Sequence, residues 1–183
     1  MFRMQKTGRI APCHARDVRA SKIGLGFEKL DRDVFDPASG GQWYYHCHTP
    51  STDAREHGHF HCFVRPEGKD GPVHHLVAAG VDPYGKLIRL FTVNQWVVGD
   101  DWLDAEATIA LLPRFDMQMP RPSYLVNRWL TAIFAAYEDE VAELVRERDR
   151  ALARHVPPQG TEVRQDRALE VTSELFLPHA AAS

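Results

Sequence analysis

The sequence predicts an α+β protein, with an antiparallel four- to five-stranded meander covered by a long C-terminal amphipathic helix. Three observations lead there. Between Gln42 and Gln95, short apolar and aromatic segments alternate with turn residues. From Ser123 to His155 the apolar period lengthens to that of a helix. Near the end, Leu169 to Leu177 returns to strict alternation.

Residues 1–40 read as an irregular arm. Gly24, Gly26, Asp36-Pro37 and Ser39-Gly40-Gly41 break the chain around a short amphipathic piece at Phe27–Phe35. A single domain then spans residues 41–183. Its first strand, Gln42–His48, carries Trp43, Tyr44 and Tyr45, aromatics suited to a pleated surface. Thr49-Pro50-Ser51-Thr52-Asp53 is a turn or loop. His57–Arg65 is the second strand, ended by Pro66-Glu67-Gly68. Val73–Val81 and Lys86–Gln95 follow, joined by Asp82-Pro83-Tyr84-Gly85, where proline presets the second turn position. Such short connections join antiparallel neighbours.

Beyond Trp96, Asp101 or Asp104 is placed to cap a short helix through Leu112, ended by Pro113. Pro120-Arg121-Pro122-Ser123 then opens a helix of about nine turns, which Pro157-Pro158 stops. Leu130, Ile133, Phe134, Tyr137, Val141, Leu144, Val145 and Leu152 keep one buried face, while Glu147, Arg150 and Arg154 have ion-pair spacing on the other. That apolar face covers the sheet or a second copy, so a homodimer through this helix is an expectation. The alternating tail is a late strand of the same sheet.

The 183 residues suit one domain, and 44% hydrophobic content with 26% charge suits a globular one. A formal charge of −3 leaves no basic footprint, so nucleic acid is not an expected partner. Three cysteines are too few, and odd in number, for a disulfide scaffold. The N-terminus has no apolar leader core and no segment is long and apolar enough for a membrane span. The expectation is a soluble, cytoplasmic protein with no membrane partner.

Histidine placement is the distinctive feature. Seven of ten histidines lie between His46 and His75. Alternate side chains of a strand share a face, so His57, His59 and His61 project together, as do His46 and His48. If the two strands align these faces, up to five imidazoles converge; a one-residue slip would separate the sets. Imidazole is the commonest protein metal ligand, and clustered imidazoles without a metal are costly to desolvate and repel one another when protonated. The expected metal ligands are His46, His48, His57, His59 and His61, not all of them bound directly to a four-coordinate ion. The expected cofactor is one divalent transition-metal ion: iron, zinc or copper.

Around this cluster, Glu56 is a candidate ligand or general base, and Arg89 a candidate for holding an anionic substrate group. His74 or His75 faces the histidine strand, with Ala78 and Gly80 leaving room on the His74 side. Cys47 and Cys62 fall on the opposite face from the histidines, where free cysteine packs well.

Three local resemblances follow. Glu56-His57-Gly58-His59-Phe60-His61 with Cys62-Phe63-Val64 resembles the signature of an uncharacterised bacterial domain family. His57-Gly58-His59 on a strand, with an upstream histidine, resembles the zinc segment of 6-pyruvoyltetrahydropterin synthases, which implies His46 or His48 as a third ligand. That family's C-terminal glutamate motif is absent here. Gly41 to His48 resembles the copper-ligand strand of cupredoxins and multicopper oxidases and implies copper, although a long downstream helix departs from that fold. His-x-His on a strand is also found in cupins.

The functional expectation is a small metalloenzyme of oxygenase, hydrolase or isomerase type, acting on a small molecule through a histidine-held ion. The alternatives are a non-catalytic metal or haem carrier, sensor or storage protein, and a domain whose metal is purely structural.

Overall fold

The computed structural model describes residues 33–47 and 55–178. Strands β1 (Val34–Phe35), β2 (Gly41–Cys47), β3 (Gly58–Val64), β4 (His74–Val81) and β5 (Leu87–Val93) come first. Helices α1 (Gln95–Val98), α2 (Ala105–Ile109), α3 (Tyr124–Ala136) and α4 (Glu138–Arg154) precede strand β6 (Val171–Phe176). The six strands form one sheet in chain order, with every neighbouring pair antiparallel. The fold is α+β, as expected, with six strands rather than four or five. The alternating tail does join the sheet, against β5. Short β1, also outside the expected set, pairs with β2. Of the amphipathic piece at Phe27–Phe35, residues 27–32 lie outside the described residues, as do the turn at 49–53 and His48, and its end, Val34–Phe35, is β1.

Turn chemistry sets the strand connections. Between β4 and β5, the Asp82 carboxylate accepts from the backbone N–H groups of Tyr84 and Lys86. Gly85 takes φ +79°, which the left-handed region allows glycine without strain. Asp104 caps α2 by accepting from Ala107 N–H, one of the two candidates proposed from sequence. Pro113 falls inside a short 3₁₀ turn, Leu112–Arg114.

One expectation needs correction: the long helix is two helices. The chain leaves helical geometry at Tyr137 (φ −123°, ψ 32°), and α4 restarts with Glu138, Asp139 and Glu140 in its first turn. Three consecutive acids favour the positive end of a helix dipole over a helix interior. The apolar spacing from Phe134 through Tyr137 to Val141 runs across the break and hides it. Both helices bury their apolar faces in their own chain: Val126, Leu130, Ile133, Phe134, Val141, Leu144, Val145 and Leu152 share one core with Trp43, Phe60, Cys62, Val77 and Leu90.

That core lies on one face of the sheet. Trp43 Nε1 donates to Asn127 Oδ1 of α3 across it, and Ser173 Oγ donates to the Leu144 carbonyl of α4. The other face is also buried through its middle, at His59, His61, Phe63, His75, Ala78 and Phe91. Near β5 and β6, Val97 and Val98 of α1 pack on Ala78, Phe91 and Val93 of this second face. No helix among the described residues is long and apolar enough to cross a membrane.

Candidate functional site

The site is built by strand register. β2 and β3 pair with His46 opposite His59 and Tyr44 opposite His61, so both histidines of the β3 strand interior share a face with His46. Continuing across the sheet, one transverse row reads His46, His59, Gly80, Arg89, and the next reads Tyr44, His61, Ala78, Phe91. The rings stand close: His46 to His59 is 5.3 Å between centroids, and His59 to His61 is 4.7 Å, edge to face.

The fourth imidazole on this face is His75, not His74. Simple alternation would group His74 with Ala78 and Gly80, but the register between β3 and β4 shifts at Cys62/Phe63 and pairs Phe63 with His75. A bulge of this kind inverts the facing of residues beyond it. His61 Nδ1 and His75 Nε2 are 3.2 Å apart. His74 turns to the helix-covered side, with Nδ1 against the Asp101 carbonyl.

His57 departs from the facing that alternation predicts. It precedes β3, its N–H donates to the Val81 carbonyl, and its Nδ1 lies 2.7 Å from Tyr45 Oη. Tyr45 packs with Phe60 on the core face. Its ring crosses Gly58, where an added Cβ would stand 2.5 Å from Tyr45 Oη. Parity holds only inside a paired strand, so the three histidines do not share one face. His48 lies outside the described residues.

Glu56 and Arg89, the two candidate catalytic residues, meet here. Glu56 Oε1 is 2.9 Å from His59 Nδ1, and Glu56 Oε2 accepts from Arg89 Nε at 2.9 Å. Arg89 also donates to Glu174 at 3.1 Å and lies over the Phe91 ring at 4.0 Å. Its guanidinium is thus occupied by two carboxylates. Burial raises the Glu56 pKa, but the His59 hydrogen bond and the Arg89 charge outweigh it and hold the carboxyl below its ordinary value. Burial, with Arg148 and His59 adding to it, lowers the His75 pKa to about 3, so this ring is neutral. Cys62 is buried in the core on the other face, where desolvation pushes its thiol well above the usual range.

Among the described residues, no three His, Cys, Asp or Glu side chains stand in an arrangement ready to hold a metal ion. The rings are instead engaged with one another and with Glu56. Sequence reasoning missed Asp100, whose Oδ2 accepts from His75 N–H while its buried Oδ1 has no hydrogen-bond partner. It also missed the contact of Tyr45 Oη with His57. Neither role leaves a periodic signal, because both depend on segments far apart in the chain.

A family model described as a domain of unknown function (DUF6969) matches residues 31–177. The chain belongs to this family. The match begins before β1 and ends just after β6, so it takes in β1–β6 and α1–α4 of the described residues. No curated protein and no solved structure matches the chain.

Proposed function

We propose that the histidine-bearing face binds one divalent transition-metal ion, with His46, His59 and His61 as its ligands, and that this DUF6969 protein is a small metalloenzyme. The observation that supports this reading is the shared register of these three histidines on one largely buried face. Directly opposed residues in antiparallel strands have Cβ atoms about 4.5–5.5 Å apart, within reach of a common ion bonded at about 2.0–2.1 Å. Ligation requires the rings to turn about their side-chain torsions on an unchanged backbone. Iron, zinc and copper all accept imidazole, and three protein ligands leave a coordination position for water or a small-molecule substrate. An ion there would polarise a bound oxygen and lower the pKa of bound water.

A second reading is supported by the contact between His61 and His75. A hydrogen-bonded histidine pair in which His75 is neutral, on the same face as the Glu56–His59 contact, is also a metal-free acid–base site, with imidazole as the proton carrier.

Elemental analysis of untagged protein, followed by calorimetric titration with Zn²⁺, Fe²⁺ and Cu²⁺, separates the two. The metalloenzyme reading expects near-stoichiometric binding that His46→Ala and His59→Ala each weaken by at least tenfold. Absence of binding by the folded wild-type protein for all three ions leaves the acid–base reading. Retained affinity in both variants would place any bound metal elsewhere.

A further inference from the structure

Glu56 reaches the histidine face through a gap in the sheet. Gly80 lies between His59 and Arg89 in the transverse row, and a Cβ there would stand 2.5 Å from Glu56 Oε2 and 3.0 Å from its Cδ. The missing side chain is the notch in which the carboxylate sits. Once seated, Glu56 touches one cross-strand neighbour of Gly80 with each oxygen: Oε1 meets His59 Nδ1 and Oε2 accepts from Arg89 Nε. Arg89 is held from behind by Glu174 and by stacking on Phe91. Burial is substantial here, with Glu56 and Arg89 side chains 16% and 19% exposed.

The direction of each hydrogen bond follows. A guanidinium can only donate, so Oε2 is an acceptor. An ionised carboxylate can only accept, so the His59 Nδ1 facing Oε1 must carry the proton. The lone pair of the neutral ring is then on Nε2. We propose that Glu56, seated in the Gly80 notch and backed by Arg89, is a positioning residue that locks His59 in its Nδ1–H tautomer, so that Nε2 is the ring atom with the lone pair for the metal of the reading above. The metal part of this inference rests on the reading above; the tautomer part does not. A carboxylate behind a ligating histidine also raises its basicity and fixes its ring, and loss of such partners typically weakens metal affinity about 10–100-fold.

The isosteric Glu56→Gln variant gives the sharpest contrast. Arg89 Nε still needs an acceptor, so the amide oxygen turns to Arg89 and the amide NH₂ turns to His59. His59 Nδ1 must then accept, and the proton moves to Nε2. Gly80→Ala tests the notch. The atoms it would displace are the end of a flexible side chain, so the fold survives while the carboxylate leaves His59.

The test is long-range ¹H–¹⁵N correlation of the histidine rings in metal-free, full-length protein at mildly alkaline pH. Wild type should show His59 with a protonated Nδ1 and an unprotonated Nε2. Glu56→Gln should reverse the pattern, and Gly80→Ala should give a mixture. A wild-type His59 protonated at Nε2 overturns the proposal without any variant. So does an unchanged Nδ1–H signal in both folded variants. Zinc titration then separates the two readings. Wild type with the expected tautomer but no zinc binding keeps the lock and removes the metal, whereas zinc bound through Nδ1 keeps the metal and removes the lock.

Discussion

His75 is neutral because it is buried, and that makes it a measurable acid liability. Its folded-state pKa is lowered to about 3, against 6.5 in an open chain. Between those values the unfolded chain takes a proton that the folded protein refuses, so stability falls as pH falls through that window. In metal-free protein, acidification from pH 7.5 to 5 should cost about 2 kcal/mol from this residue, at about 1.4 kcal/mol per pKa unit. Urea denaturation of wild type and His75→Gln would measure it; equal slopes with pH would assign the acid sensitivity to another group. A second residue-scale expectation concerns Gly58. A Cβ there would stand 2.5 Å from the His46 carbonyl oxygen as well as from Tyr45 Oη. Gly58→Ala should therefore destabilise by about 1–3 kcal/mol and break the contact between His57 and Tyr45.

At the scale of elements, the joint between α3 and the sheet is a single buried side chain. Asn127 is fully buried, accepts from Trp43 Nε1, and donates to the carbonyls of Met119 and Arg121. Asn127→Ala strands an indole N–H and two carbonyls, at a cost of about 2–4 kcal/mol in thermal or denaturant unfolding. A loss below about 1 kcal/mol would mean that water replaces the amide. The ion pairs on the outer face of α4, Arg150 with Glu143 and Glu147, and Arg154 with Glu147, are exposed. Arg154→Ala should change stability by no more than about 1 kcal/mol. Strands β2–β6 were legible in the sequence, and the cap of α2 was narrowed to Asp101 or Asp104, because β period and turn residues are local. The break at Tyr137 was not, since the apolar stripe continues through it and only Glu138, Asp139 and Glu140 mark a new helix start. The facing of His57, and the choice between His74 and His75, were not legible for a related reason: alternation fixes a facing only where pairing is regular, and a strand end and a bulge both interrupt it.

On the scale of the whole molecule, the sheet separates stability from the candidate site. The large apolar core lies with α3 and α4 on one face, and His46, His59, His61 and His75 lie on the other. β3 and β4 are central and buried along their entire length, while β6 is an edge strand with exposed positions. Native-state hydrogen exchange should therefore be slowest at β3 and β4 amides and faster in β6. Equal protection in β6 would show an edge covered by another chain. If an ion binds, its removal should lower Tm by a few degrees through mass action, without unfolding the protein. Collapse of the fold on chelation would instead mark the metal as structural.

The sequence by itself determined the α+β class, the β2–β5 meander, the late strand and the concentration of histidines on paired strands. All of these rest on period, turn chemistry and composition, which act over a few residues. Tertiary structure decided which histidines share a face, because register, a bulge and a strand end are set by pairing across the sheet. It also brought Glu56, Gly80 and Arg89 together from three segments of the chain. The histidine cluster was visible as a pattern of letters, but its ring-by-ring bonding follows from long-range geometry.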